Sequence, residues 1–391
     1  MGLLVLMGSG ETAPSMIKPH RQIFDGAPAG RFLVLDSPHG FQMNADDLAD
    51  RTTTYFRDSV GREVETVQWR RTDDPVAAAR ANAAIAQAAW VFAGPGSPTY
   101  ALRVWRDAGI ADRLVDVVQR GGVVIFASAA ALTTGTYTVP VYEIYKVGAD
   151  PHWERGLDLV SRLVGAPITV IPHFDNAEGG NHDTRYCYLG EERLQALESQ
   201  QSTHVLGIDE HTAVIIDTAA DELRVDGVGG MTLRFEGAST VLPGGSSLPL
   251  DDLRAWALGS LSSQSLHAHP PRQVGDEKRT DDVASDIAPG GDPAGEASED
   301  DVDAEVDRLI TLLAENVSDD DRRVRMQTIA VKLGELARAG LSDSTRHDTL
   351  VNLILDERTR ARNARDWDSA DRLRDALIAL EITIADPPSS S

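Results

Sequence analysis

The feature that most constrains the fold is a series of short apolar runs set between helical patterns. Residues 3–7 (LLVLM), 32–36 (FLVLD), 90–93 (WVFA), 123–127 (VVIFA) and 169–172 (TVIP) are each four or five residues long, and Gly, Pro or Ser residues punctuate their flanks. Brief, nearly continuous apolar runs are the mark of strands buried on both faces of a parallel sheet. Between them, residues 75–89 are almost unbroken in Ala. Residues 100–121 place Leu102, Trp105, Ile110, Leu114 and Val117 at helical spacing. This alternation predicts a doubly wound, mainly parallel α/β sheet. Segments 205–209, 213–217, 222–225 and 231–235 follow one another across short turns, so they are expected to add antiparallel strands at the sheet edge.

Sheets of this kind carry their sites beyond the carboxyl ends of the strands. Four such ends are chemically suggestive: Gly8-Ser9-Gly10-Glu11, Asp36-Ser37-Pro38-His39, Gly94-Pro95-Gly96-Ser97-Pro98-Thr99-Tyr100 and Ala127-Ser128-Ala129-Ala130-Ala131. In the last, an apolar strand runs directly into a serine flanked by small residues and followed by a helix start. That layout suits a nucleophile elbow, a tight strand-to-helix turn that lifts a serine hydroxyl above the sheet. The Ala129 amide, at the helix N-terminus, would then face a developing oxyanion. The segment taken alone fits a serine N-cap, a common role after a strand, better than a nucleophile.

The order of these motifs resembles the dipeptidase E and cyanophycinase family of serine peptidases. It runs strand, Gly-rich loop, strand, Ser-Ala elbow, Glu, then a strand ending in Pro-His, and the likeness covers residues 1–245. The stretch Leu206-Gly207-Ile208-Asp209-Glu210-His211-Thr212-Ala213 is also similar to the family's Gly-Ile-Asp-Glu-x-Thr-Ala motif. The resemblance implies a class I glutamine amidotransferase-like fold and a Ser-His-acid triad. On this sequence it implies Ser128 as nucleophile, His173 as base and Glu143 as the acid, Glu143 lying fifteen residues past the serine. Gly96 and Ala129 would supply the oxyanion amides. Gly94, Ser97, Asp175 and Arg185 are the candidate substrate contacts, for a small peptide or amide. Other roles stay open for these residues: a loop position for His173, a surface pairing of Glu143 with Lys146 or Arg155, and a plain turn at Gly94 and Gly96.

The chain departs from the family in three places. Ala130 stands where the elbow has Gly, and the oxyanion loop reads Gly-Pro-Gly-Ser-Pro. The closely spaced arginines that follow the histidine in cyanophycinases are replaced by residues 174–185 (FDNAEGGNHDTR). The last change weakens cyanophycin and Asp-X dipeptides as candidate substrates. It also leaves open a catalytically inactive binding protein on the same fold.

Composition narrows the remaining choices. The 61 Asp and Glu against 37 Lys and Arg give a formal charge of −24, which argues against bulk binding to phosphate backbones. Cys187 is the only cysteine, which excludes an internal disulfide and a cysteine-based zinc cluster. His173, Asp175, His182 and Asp183 are metal-ligating types without helical His-x-x-x-His spacing, and neither a metal nor a cofactor is expected. No apolar run reaches the ~20 residues of a membrane helix. No basic stretch precedes residues 3–7, so these are expected to be mature sequence of a cytoplasmic protein.

Residues 1–261 are expected to form the hydrolase-like domain. Residues 262–302, rich in Asp, Ser, Pro, Gly and Ala, are expected to be a disordered acidic linker. Residues 303–386 read as a helical domain, and 387–391 as a disordered tail. Within the helical part, the arginine-rich stretch 353–377 followed by 382–386 resembles the extreme C-terminus of cysteinyl-tRNA synthetases. Their catalytic signatures and zinc cysteines are absent, which excludes aminoacylation. Interleaved Asp and Glu neutralise much of the run from Arg358 to Arg374, which favours a protein partner or intramolecular docking over tRNA. The oligomeric state is not encoded in any motif.

Overall fold

The computed structural model describes residues 2–178 and 182–262, together with Ser265, Leu266, His269, Leu355 and Thr359. The expected linker, helical domain and tail lie outside the described residues apart from those isolated positions. The elements below all belong to the first of two units, Met1–Asp276.

Fourteen strands are described: β1 Leu3–Met7, β2 Arg31–Leu35, β3 Glu65–Val67, β4 Ala88–Ala93, β5 Val123–Ala127, β6 Tyr137–Thr138, β7 Glu154–Arg155, β8 Thr169–Ile171, β9 Val205–Ile208, β10 Thr212–Asp217, β11 Glu222–Gly227, β12 Gly230–Phe235, β13 Ala238–Pro243 and β14 Ser247–Pro249. The main sheet has the order β14-β11-β10-β1-β5-β4-β2-β3. Its five strands from β1 to β3 are mutually parallel, and β10, β11 and β14 extend it antiparallel. The carboxyl ends of β1, β2, β4 and β5 therefore open on the same edge.

Successive residues along these strands feed two different cores, as a side-chain period of two requires. Leu4, Leu6, Val91, Val124 and Phe126 pack on one face with Leu102, Trp105, Leu114 and Val117 from the helices Pro98–Trp105 and Ile110–Gln119. Leu3, Val5, Trp90, Phe92 and Ile125 pack on the other face with Met16, Ile23, Phe24 and Phe56. Helices thus cover both faces, and each fully buried Leu or Phe contributes about 1.5–3 kcal/mol. The sheet is the doubly wound, mainly parallel one that the alternating runs predict.

Three details differ from the expectations. The helical pattern over 100–121 is two helices, broken where Gly109 takes a left-handed conformation at φ 70°. The Ala-rich pattern ends at Ile85, and Ala88 and Ala89 already belong to β4, where both are buried. The strand at 169–171 is not in the main sheet. It pairs parallel with β9 in a separate sheet of order β13-β12-β9-β8, so only β10 and β11 of the four late segments extend the main sheet.

The second sheet is held to the helix Gly190–Gln200 by a buried ion cluster. Arg234 on β12, its side chain 3% exposed, donates to both Glu191 and Glu198 at 2.6–3.1 Å. The guanidinium also lies 5.3 Å from the centre of the Tyr186 ring. Its hydrogen bonds outweigh burial and hold the Glu191 carboxyl down at about 2.

Candidate active site

Ser128 follows β5 immediately and takes φ 52°, ψ −120°, a conformation L-residues rarely adopt. The turn is pinned on both sides. The Ser128 amide donates to Met7 O on β1 at 3.0 Å, and the Ser128 carbonyl accepts from Leu132 N at 3.1 Å to start the helix Ala129–Leu132. Its side chain does not cap that helix. The hydroxyl is instead 2.8 Å from His173 Nε2. The hydroxyl thus faces the histidine and not the amides of the helix it precedes.

The methyl of Ala130, where the related elbow has Gly, is fully buried among the apolar residues under the main sheet. It is packed into the core.

His173 stands two residues beyond β8, itself in a left-handed conformation at φ 49°. Its other ring nitrogen, Nδ1, lies 2.7 Å from Glu210 Oε1. Burial works to raise the Glu210 pKa, but the hydrogen bonds and charge of His173, with the amide of Asn176, outweigh it and hold the carboxyl at about 2. An ionised Glu210 accepts the Nδ1–H. In the neutral imidazole that leaves Nε2 with a lone pair facing the Ser128 hydroxyl.

Glu143 is not the partner of His173, and that expectation is corrected. It sits in the short helix Val141–Tyr145 and accepts from the Thr99 hydroxyl at 2.8 Å. The parallel pairing of β8 with β9 explains the difference. Ile171 lies opposite Gly207, and Phe174 N donates to Ile208 O at 3.0 Å, so the residues just past β9 meet the residues just past β8. Glu210 is two residues past the end of β9. Spacing from the serine pointed elsewhere, although Glu210 lies inside the Gly207–Ala213 stretch that carries the family resemblance.

Two further side chains hold Glu210, one at its carboxylate and one at its backbone. Asn176 Nδ2 donates to Glu210 Oε1 at 3.1 Å, and Asp175 Oδ1 accepts the Glu210 backbone N–H at 2.8 Å. Asp175, expected as a substrate contact, is thus tied to the acid's own backbone. Neighbouring Asp209 accepts from Gly230 N at 2.8 Å, and burial, with Asp175 and Glu210 nearby, raises its carboxyl to about 6.

The loop after β4 approaches from the side of β2. Gly96 has φ 150°, and a Cβ there would come within 2.0 Å of Pro38 O, so glycine is required by close approach. The amides of Gly96 and Ala129 have no acceptor among the described residues. Ser97 Oγ accepts from Tyr100 N at 3.2 Å and lies 3.0 Å from Thr99 Oγ1, so this hydroxyl caps the helix Pro98–Trp105. A Cβ on Gly94 would meet only the Phe92 ring at 3.1 Å and Glu11 Oε1 at 4.0 Å. Arg185 is committed to Asp183 through two bonds of 2.8–2.9 Å, which hold that carboxyl well below the usual carboxylate range. His182 is 3.4 Å from the Tyr145 hydroxyl. The four residues that could have suggested a metal are therefore each engaged with protein groups.

An unforeseen feature adjoins His173. Tyr186, Cys187 and Tyr188 take φ values of 59°, 56° and 65°, three consecutive non-glycines in the left-handed region. Each costs about 1–2 kcal/mol there. The turn is folded onto the histidine segment: Tyr186 N donates to Phe174 O and Cys187 N to His173 O, both at 3.0 Å. Tyr186 packs its ring 4.5 Å from Phe174 and donates its hydroxyl to Glu191. Tyr188 faces His173 with a centroid distance of 6.2 Å and donates to Glu178 at 2.7 Å. Burial and Glu178 raise its phenol pKa, so the hydroxyl stays protonated.

No known family model matches the sequence, and no curated protein matches it. Among solved structures the chain is similar to a peptidase from an acI-B1 Actinobacterium, with a TM-score of 0.52 and 19% identity over 64% of this chain and 97% of that one. The two share a fold. A structure named "Putative Peptidase E Protein" from Listeria monocytogenes EGD-e aligns with a TM-score of 0.38 and 12% identity, over 62% of this chain and 98% of that one. Among the described residues, no helix is long and apolar enough to cross a membrane.

Proposed function

We propose that the first unit is a serine hydrolase of peptide or amide bonds, of the dipeptidase E and cyanophycinase type, with Ser128, His173 and Glu210 as its triad. The observation that carries this reading is the continuous relay from Ser128 Oγ to His173 Nε2 at 2.8 Å and from His173 Nδ1 to Glu210 at 2.7 Å, built on a strained elbow. The shared fold with a solved peptidase supports it without fixing the chemistry.

In the proposed reaction the Ser128 oxygen adds to the substrate carbonyl while its proton passes to His173 Nε2. Glu210 stabilises the resulting imidazolium through Nδ1–H. The amides of Ala129 and Gly96 supply hydrogen bonds to the carbonyl oxygen as it gains charge. Collapse of the tetrahedral intermediate breaks the C–N bond, and the imidazolium proton goes to the departing amine. A water molecule then adds to the acyl-serine, giving its proton to His173, and the acid product leaves with Ser128 restored.

Beyond residue 261, we propose that the acidic stretch acts as a tether. The segment after it, read from its sequence pattern as helical, would engage a protein partner.

A fluorophosphonate probe tests the nucleophile directly, because it reacts with an activated serine. Wild-type protein is expected to label at Ser128, and Ser128→Ala to lose all labelling. An unlabelled wild type that also cleaves no member of a peptide library would sink the hydrolase reading.

A further inference from the structure

We propose that Tyr188, Tyr145 and His182 form a subsite for an aromatic side chain on the leaving-group residue of the substrate. The inference rests on the Ser128–His173–Glu210 reading, because the position of the histidine decides which side of the scissile bond the subsite serves.

The rings form a continuous row that ends on the catalytic imidazole. Tyr188 lies 6.2 Å from His173, Tyr145 lies 5.1 Å from Tyr188, and His182 stacks on Tyr145 at 6.2 Å with 19° between the planes. Tyr145 and Tyr188 are half-buried and His182 is exposed, so the row reaches solvent. The rings are anchored from behind. Ile144, beside Tyr145, is buried with Phe174, Tyr186 and Cys187, and the Tyr188 hydroxyl is held by Glu178.

The backbone supplies independent support. Three successive left-handed residues would be relieved of strain by glycine, yet the chain carries Tyr, Cys and Tyr there. The side chains of Tyr186 and Cys187 are used in packing. That of Tyr188 packs partly against the same cluster and also lies against His173 and Tyr145.

Position and charge then select the ligand. His173 hands its proton to the departing amine, so groups packed beside His173 flank the residue that carries that amine. A planar side chain entering the row gains offset or edge-to-face contacts with two tyrosines. Rings also attract cations, and Glu178 adds negative charge nearby. A fixed cation in the row would, however, stand close to the imidazolium that forms during acylation and repel it. A neutral ring avoids that conflict, so the subsite is assigned to Phe, Tyr or Trp.

The test is protection of Ser128 from fluorophosphonate by dipeptides whose second residue is Phe, Tyr, Trp, Leu, Ala or Arg, with the first residue varied. Aromatic dipeptides are expected to protect the full-length protein at about tenfold lower concentration than their Ala counterparts. Tyr145→Ala should erase that difference, Tyr145→Phe should keep it, and Val241→Ala on the exposed face of β13 should keep it. Equal protection by all dipeptides, protection by none, a preference for Arg, or an aromatic preference that survives Tyr145→Ala each overturns the subsite while leaving the hydrolase reading intact. Absence of labelling in the wild type removes the hydrolase reading and the subsite together.

Discussion

At the scale of single residues, the most informative angle in the molecule is φ 52° at Ser128. A hydroxyl is held in a conformation that glycine would adopt freely, and the cost is met by the hydrogen bonds to Met7 on β1 and to Leu132 in the following helix. Such strain at a functional position costs on the order of 1–3 kcal/mol. Ser128→Gly and Ser128→Ala both remove the hydroxyl, but only glycine relieves the backbone. Urea denaturation should therefore find Ser128→Gly about 1–2 kcal/mol more stable than Ser128→Ala. Equal stability would show that the elbow stores no strain. Ser128 was legible in the sequence because a five-residue apolar run ends on it. The angle was not, since the same residues fit an ordinary N-cap.

The same contrast applies to the two acids. Glu143 has the right distance along the chain, but Thr99 occupies it in space. Glu210 was visible as part of a recognisable stretch, yet its role depends on which strand lies beside β8. Pairing between strands more than thirty residues apart leaves no periodic trace, so neither composition nor spacing could select it.

At the scale of elements, the main sheet was readable because strands buried on both faces must be apolar throughout, and helices must cover them. The second sheet was less so. Its strand β8 looks like any other parallel strand, and nothing in three apolar residues specifies which sheet they join. The element that carries the histidine is backed by the ion cluster around Arg234, which ties β12 to the helix Gly190–Gln200 and touches Tyr186. Arg234→Met would leave the nearly buried Glu198 and the half-covered Glu191 without a counter-charge. The expected loss is about 3–5 kcal/mol, read from the denaturation midpoint. Adding Glu191→Gln and Glu198→Leu should recover most of it. A single variant as stable as wild type would mean that packing alone holds this face.

At the scale of the whole molecule, the candidate site is a junction between two sheets. Ser128 comes from the main sheet, His173 and Glu210 from the ends of β8 and β9, and the loop that holds Gly96 from the end of β4. Both sheets share one apolar core, in which Leu206, Ile208, Val170 and Met231 pack with Leu4, Leu6 and Phe126. That common core keeps a hydroxyl and an imidazole within 2.8 Å although forty-five residues separate them.

The measurement that tests the account most directly is the rate of fluorophosphonate labelling in Glu210→Gln and Glu143→Gln. A glutamine at 210 can present its NH2 to Nδ1, which moves the histidine proton to Nε2 and leaves no acceptor for the Ser128 proton. Labelling of Glu210→Gln should slow about a thousandfold or more, and that of Glu143→Gln by less than about tenfold. Rapid labelling of Glu210→Gln, or the larger loss in Glu143→Gln, would contradict a triad of Ser128, His173 and Glu210.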